Sequence, residues 1–88
     1  MELQKGSVVL SDAGRDKGLY FAVTELAEGE YVFIANGKLR PLAAPKRKKK
    51  RHLTLINDCD EEILVLLTQG KISDSRLGAC LADYESKL

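Results

Sequence analysis

Hydrophobic and polar residues alternate along much of the first 57 positions, which predicts short β-strands. The predicted strands span residues 6–11, 19–24, 31–35, 38–40 and 52–56. In the second of them, Leu19, Phe21 and Val23 would share one face of a strand. The dipeptide Asn36-Gly37 predicts a two-residue hairpin turn that joins the third strand to the short fourth strand.

After Asn57, helical spacing of the apolar residues replaces the alternation. Asp58, with Glu61 three residues later, predicts the start of a first helix, and Gly70 predicts its end. Ser73 predicts the N-cap of a second helix. The apolar stripes comprise Cys59, Ile63, Leu66 and Leu67 in the first helix, and Leu77, Cys80, Leu81, Tyr84 and Leu88 in the second.

The order of these elements predicts a mainly β fold with C-terminal helices. Five short, tightly connected strands in residues 1–57 favour a small antiparallel barrel over an open sheet, because closure removes exposed strand edges. Residues 58–88 are expected to form a helical hairpin packed on that barrel. A chain of 88 residues can enclose only one core, so the two segments should form a single compact domain.

Charge is divided unequally between these two segments. Residues 1–57 carry eleven Lys or Arg and six Asp or Glu, giving +5, whereas residues 58–88 carry three and seven, giving −4. Six consecutive cations occupy residues 46–51, which we expect to form a loop. Because neighbouring positive charges repel one another, such a run is typical of a surface that binds a polyanion, most often nucleic acid. A loop used only for solubility is the alternative. RNA would repel the acidic helices, so we expect them to face away from the run.

No combination of residues predicts an enzyme, a metal site or a cofactor site. His52 is the sole histidine, and neither Cys59 nor Cys80 stands at zinc-ligand spacing from it. Gly14 and Gly18 lack the Lys-Ser/Thr of a phosphate-binding P-loop. The start of the chain does not resemble a targeting segment, and no apolar run reaches membrane-spanning length. We therefore expect a cytoplasmic protein with reduced thiols, no cofactor, no small-molecule substrate and no membrane partner.

Several residues fall at the spacing of the KOW motif, a strand–loop–strand unit of NusG transcription factors and several large-subunit ribosomal proteins. They are Gly6, Val9, Gly14, Lys17, Gly18 and Val23. The loop over residues 11–18, the segment 36–42 and the pairs Pro45-Lys46 and His52-Leu53 resemble more specifically the bacterial KOW-domain RNA-binding proteins. Those proteins are similar to the fourteen-e class of archaeal and eukaryotic ribosomal proteins. The resemblance covers residues 5–56 and implies an SH3-like β-barrel that binds RNA.

We expect the protein to bind structured RNA, with ribosomal RNA as the expected target, in association with the ribosome or with translation. The candidate contacts are Arg15, Lys17, Lys38, Arg40, Lys46, Arg47, Lys48, Lys49, Lys50, Arg51 and His52. Lysines would act as point charges on phosphates, and arginines could bind them through two donors. Aromatic residues are scarce in the basic region, which favours recognition of backbone and shape over bases. Tyr20 and Tyr31 are interpreted chiefly as core or surface filler, and stacking of Tyr20 or Tyr31 on a base is the less favoured alternative.

Three alternative functions remain open from the sequence. A protein-interaction module would use the barrel surface or the acidic tail, and charge reversal at residues 48–50 would leave its binding intact. A NusG-like transcription factor would co-purify with RNA polymerase and not with ribosomal particles. In a eukaryotic chain the basic run could be a nuclear address. An enzyme is the least favoured interpretation.

Overall fold

The computed structural model describes residues 2–87 and consists of a five-stranded antiparallel sheet followed by two α-helices. The strands are β1 (Val8–Ser11), β2 (Tyr20–Leu26), β3 (Tyr31–Ala35), β4 (Lys46–Lys49) and β5 (Leu53–Asn57), and the helices are α1 (Glu61–Thr68) and α2 (Asp74–Glu85). Two 3-10 turns, Gly14–Asp16 and Lys50–His52, connect β1 to β2 and β4 to β5. The predicted class, mainly β with C-terminal helices, is confirmed.

The strands follow the order β4-β3-β2-β1-β5, and each is antiparallel to its neighbours. β4 and β5 stand at the two ends of this order and are not paired with each other within residues 2–87, so the sheet is not closed. The two end strands are short, with four and five residues, and β4 consists entirely of cations. Short and charged edges discourage pairing with another chain, so closure is not needed to protect them.

Both faces of the sheet are buried, and β2 shows this most directly. Tyr20 and Ala22 belong to a cluster that the helices cover, whereas Phe21 and Val23 belong to a second cluster on the opposite face. Because side chains alternate along a strand, β2 contributes to two cores at once. Leu19 packs against the second cluster, which confirms the predicted common face of Leu19, Phe21 and Val23. The helix-side cluster also contains Val8, Ala35, Ile63, Leu77, Cys80 and Leu81, and the other contains Leu3, Val9, Val32, Ile34 and Leu53.

The segment after β3 is a loop, so the predicted strand at residues 38–40 and the two-residue turn before it are wrong. Asn36 Oδ1 accepts hydrogen bonds from the backbone N–H groups of Lys38 and Arg40 at 3.0 and 2.9 Å. The N–H of Asn36 also donates to the Arg40 carbonyl at 2.8 Å. The Asn36 side chain thus accepts hydrogen bonds from backbone N–H groups that would otherwise be available to pair with a neighbouring strand. Pro41, which has no N–H, follows directly. The partner of β3 is therefore the later segment β4.

The first helix starts later than the sequence predicts, because its N-cap is Asp60 and not Asp58. Asp60 Oδ1 accepts from the N–H of Ile63 at 3.0 Å. The carbonyl of Asp58 accepts from Ser7 Oγ at 2.7 Å, which ties this stretch to the chain before β1. Cys59 consequently precedes α1 and does not lie on its apolar face.

The second helix begins at its predicted cap, since Ser73 Oγ accepts from the N–H of Arg76 at 3.1 Å. Its apolar stripe packs on the sheet, mainly against β2, and the predicted position Leu88 lies outside the described residues. Asp74 Oδ1 in the first turn accepts from the N–H of Leu42 at 2.7 Å and so holds the loop after β3. No helix in residues 2–87 has both the length and the apolar character that crossing a bilayer requires.

Gly37 allows that loop to approach the start of α2. Its φ is +80°, and a Cβ at this position would overlap the carbonyl oxygen of Asp74. We expect Gly37→Ala to lower the free energy of unfolding by about 2–4 kcal/mol, since left-handed strain alone costs about 1–2 kcal/mol and α2 must also shift. Urea unfolding followed by circular dichroism measures the loss.

Gly29→Ala is the matched control for this substitution. Gly29 has φ +63°, but a Cβ there would meet no atom within 4 Å, so only the backbone cost of about 1–2 kcal/mol should appear. Equal losses in the two variants would show that the contact between Gly37 and α2 does not contribute to stability.

Candidate nucleic-acid interface

Residues 46–51 form an edge strand and the start of a turn, so the basic loop predicted from the sequence is wrong. β4 pairs with β3 in a register that sets Lys48 opposite Val32 and Lys49 opposite Tyr31. Because successive side chains of a strand point to opposite faces, alternate cations of the run lie on opposite sides of the sheet. A run that is uniform in sequence is thereby divided into two groups with different surroundings.

Lys48 belongs to the group of cations on the same side of the sheet as the loop between β1 and β2, which we term the first loop. Its side chain is buried, with 7% of the residue exposed, and its Nζ donates to the carbonyl of Ala13 at 3.0 Å. A buried ammonium group is costly unless it is hydrogen-bonded, so this contact stabilises the loop against β4. The Lys48 charge is consequently directed at the protein's own backbone.

Asp16 joins three segments of the chain around one buried carboxylate. Its side chain has no exposed surface, and its Oδ2 lies 3.3 Å from a guanidinium nitrogen of Arg40 and 3.6 Å from Lys46 Nζ. Arg40 also donates from Nε and Nη2 to the two carboxylate oxygens at 3.4 Å each. A buried carboxylate needs such partners, and these two come from the loop after β3 and from β4. Asp16 was not among the residues predicted from the sequence, because both of its partners lie in segments distant from it in the chain.

Tyr31 is the centre of the other group of cations. The Cζ atom of Arg47 lies 3.7 Å from the centroid of the Tyr31 ring, and Lys49 Nζ lies 6.0 Å from it, both within the range of cation–π attraction. The ring forms part of a surface cleft of about 670 Å³. The other residues that line the cleft are Glu28, Gly29, Glu30, Arg47, Lys49 and Arg51.

The 3-10 turn after β4 brings the first loop next to the basic run. The carbonyl of His52 accepts from the N–H of Asp12 at 2.8 Å. Asp12 begins the loop that carries Arg15 and Lys17, and both of these side chains are exposed. The loop that carries Arg15 and Lys17 is therefore bonded to the turn that ends the basic run, although the two are far apart in the sequence.

Lys38 shares the loop after β3 with Arg40 but lines a different surface. It is exposed and lines a small groove against α2 together with Asn36, Leu81 and Glu85. The other ten predicted positions lie on β4, on its turn or in the two loops bonded to them. Within residues 2–87, none of the ion pairs links a carboxylate of the helices to residues 46–51.

A separate polar network lies where β5 meets the helices. The Tyr84 hydroxyl donates to Asp60 Oδ2 at 2.6 Å and accepts from Asn57 Nδ2 at 2.9 Å. Burial is the main cause of the raised pKa of Tyr84, and the hydrogen bond to Asp60 raises that pKa further. Burial also raises the pKa of the Cys80 thiol, and the nearby Glu62 carboxylate raises it further, which does not favour a reactive thiolate. No cluster of three or more His, Cys, Asp or Glu in the described part of the chain is arranged to hold a metal ion.

Comparison of the sequence with protein-family models and with curated proteins gives no match. The candidate interface is therefore described by the geometry and charge of its residues. On one side, Lys46 of β4 and Arg40 of the loop after β3 contact a buried carboxylate, and on the other side two further cations lie near a tyrosine ring. This arrangement can hold anions against a surface that also offers an aromatic ring.

Removal of the buried carboxylate charge tests whether Asp16 organises this interface. Asp16→Asn keeps the side-chain volume but leaves Arg40 and Lys46 without their buried acceptor. We expect the free energy of unfolding to fall by roughly 1–3 kcal/mol, because both cations are partly exposed and can regain some hydration. The urea midpoint, followed by circular dichroism, measures the change.

Asp83→Asn removes the same charge from an exposed position on α2 and serves as the control. We expect it to change the free energy of unfolding by less than about 0.5 kcal/mol. If Asp16→Asn were equally mild, the ion pairs with Arg40 and Lys46 would contribute no more than surface charges.

Proposed function

We propose that this protein binds structured RNA through the phosphate backbone, with ribosomal RNA as its expected target. The observation that carries the proposal is a set of cations without acidic partners. The three ion pairs within residues 2–87 use Arg40, Lys46 and Arg76. Seven other cations on β4, its turn and the first loop take part in none of them. One of the seven, Lys48, is buried and bonds the Ala13 carbonyl. We term the remaining six the basic surface: Arg15, Lys17, Arg47, Lys49, Lys50 and Arg51.

The division of the run into internal and external cations supports this function. Lys46 and Lys48 bind groups of the protein, which holds the first loop against β4 and presents Arg15 and Lys17 beside the strand. The basic surface is left with positive charges that repel one another in water. Phosphates would neutralise these charges and release the counterions condensed on the RNA, which favours binding at low salt.

Two features of the sheet support an SH3-like barrel as the finer description of the fold. The last strand, β5, returns to pair with β1, and a 3-10 turn separates β4 from β5. The apolar cluster that contains Phe21 and Val32 would fill the inside of such a barrel. The resemblance of residues 5–56 to KOW-domain proteins agrees with this description, since it implies an SH3-like barrel. The same resemblance implies RNA contacts in the first loop and the basic run.

The same resemblance supports a ribosome- or translation-associated role, which co-purification can separate from the alternatives. We expect the tagged protein to be recovered with ribosomal RNA and to lose it on nuclease treatment. Recovery with RNA polymerase would instead favour a NusG-like factor. A protein partner that is retained after nuclease treatment, and after neutralisation of the basic surface, would favour a protein-interaction module.

Neutralisation of part of the basic surface provides the direct test. We expect the triple variant Arg15→Gln, Lys17→Gln, Arg51→Gln to bind purified ribosomal RNA on the order of 100-fold more weakly than the wild type in about 0.1 M salt. Each lost phosphate contact removes one contribution from counterion release. Filter binding at equilibrium measures the affinity.

The matched control removes three exposed cations that lie outside the basic surface: Lys5→Gln, Lys71→Gln, Lys87→Gln. Both triple variants have the same net charge, so a general effect of charge would weaken them equally. Equal affinities of the two variants, or no binding by the wild type even in dilute buffer, would contradict the proposed function.

The salt dependence counts the contacts independently of the variants. With four to five phosphates neutralised, log K of the wild type should fall with log salt at a slope of about −3 to −4.5. The triple variant of the basic surface should show a slope shallower by about 2–3, whereas the control triple should keep the wild-type slope. A slope near zero for the wild type would exclude binding through phosphates.

A further inference from the structure

The cleft beside Tyr31 contains chemistry that a phosphate site does not need. Three cations line it, but so do the carboxylates of Glu28 and Glu30. Neither carboxylate forms a hydrogen bond through its side chain or an ion pair within residues 2–87, although cations line the same cleft. Carboxylates repel phosphates, so their presence points to a ligand that also offers hydrogen-bond donors.

The backbone around the cleft is held by hydrogen bonds from two segments. The N–H of Ala27 donates to the Tyr31 carbonyl at 3.1 Å across the turn between β2 and β3. The N–H of Lys50 donates to the Glu30 carbonyl at 2.7 Å. These bonds join the turn that carries both carboxylates to the turn that carries Arg51, so the two walls of the cleft are connected.

Arg47 lies over the ring of Tyr31 in the cleft. The guanidinium carbon of Arg47 lies 3.7 Å from the centroid of the Tyr31 ring, which is a stacking distance. Unpaired nucleobases of RNA stack on aromatic rings and on arginine guanidinium planes. A cleft of about 670 Å³ is also within the usual size range of small-ligand sites.

We infer that this cleft binds one unpaired nucleobase of the RNA, with guanine preferred. The base would stack against the Tyr31–Arg47 pair, and its adjoining phosphates would lie near Lys49 and Arg51. Guanine presents N1–H and N2–H side by side, which match the two oxygens of one carboxylate, whereas uracil presents a single N3–H. This inference rests on the proposed RNA binding and adds a base-specific contact to it.

The stacking contact is tested with single-stranded and duplex probes. We expect Tyr31→Leu to weaken binding of oligouridine that carries one central guanosine by roughly 5- to 150-fold, the range found for loss of one stacked base. Tyr31→Phe keeps the ring and should bind this probe within about twofold of the wild type. Binding of a fully paired RNA duplex should be unchanged in both variants, because a duplex offers only backbone to the cleft.

The outcomes separate this inference from the proposed function. Loss of duplex and single-strand binding together in Tyr31→Leu would show that Tyr31 only maintains the fold, and wild-type affinity of Tyr31→Leu for the single strand would exclude stacking. Either result overturns the inference and leaves RNA binding by the basic surface intact. If the wild type binds neither probe, both proposals are wrong.

The carboxylates are tested by the double variant Glu28→Gln, Glu30→Gln. Loss of two negative charges should strengthen binding of every RNA, so the informative quantity is the ratio of affinities for oligouridine with and without the central guanosine. We expect the wild type to prefer the guanosine probe by roughly 5- to 150-fold, the discrimination of one good bidentate pair, and the double variant to lose that preference. Absence of the preference in the wild type, or its persistence in the double variant, would overturn the assignment of guanine to this cleft.

Discussion

Burial of the Asp16 carboxylate is the interaction on which the arrangement of the basic region depends. One charge without exposed surface is bonded to Arg40 and Lys46, which lie in two other segments of the chain. Removing such a charge from water is unfavourable unless its partners are in place, so the carboxylate stabilises only the arrangement in which all three segments meet. This holds the first loop, β4 and the loop that follows β3 in one geometry.

The position of β4 explains how one run of cations can both stabilise the fold and contribute to the basic surface. As an edge strand it pairs with β3 on one side only, and the alternation of side chains divides its cations between two environments. Lys46 and Lys48 satisfy internal acceptors, whereas Arg47 and Lys49 accompany the ring of Tyr31. The high charge also protects the free edge from pairing with another chain. A loop with the same composition would not impose this alternation.

The two apolar clusters show why so short a chain can support both an exposed basic edge and helices. β2 is buried on both of its faces, so a single central strand organises the helix-side cluster and the cluster on the opposite face. The helices cover the sheet through β2 and also hold the loop after β3 through Asp74. The loop that supplies Arg40 to the buried carboxylate is thus held from the other side as well.

Local sequence was sufficient for elements whose signals are short-range. The third strand follows from the alternation of side chains along it, and the Ser73 cap follows from a side chain that bonds its own helix. Both are observed where predicted. The errors arose where a local signal competed with a distant partner. Asn36-Gly37 is a good hairpin turn in isolation, but the Asn36 side chain bonds the following backbone, and β3 pairs with a segment ten residues further on.

The amino-acid sequence by itself determined that this chain would be mainly β with helices at its end, and that its positive charge would be concentrated in residues 46–51. Only the tertiary structure decided which cations are internal, because burial of Lys48 and the partners of Asp16 depend on segments separated in sequence. The cleft at Tyr31 likewise depends on the register between β3 and β4. Composition records how many charges a chain has, whereas strand pairing determines the direction in which each one points.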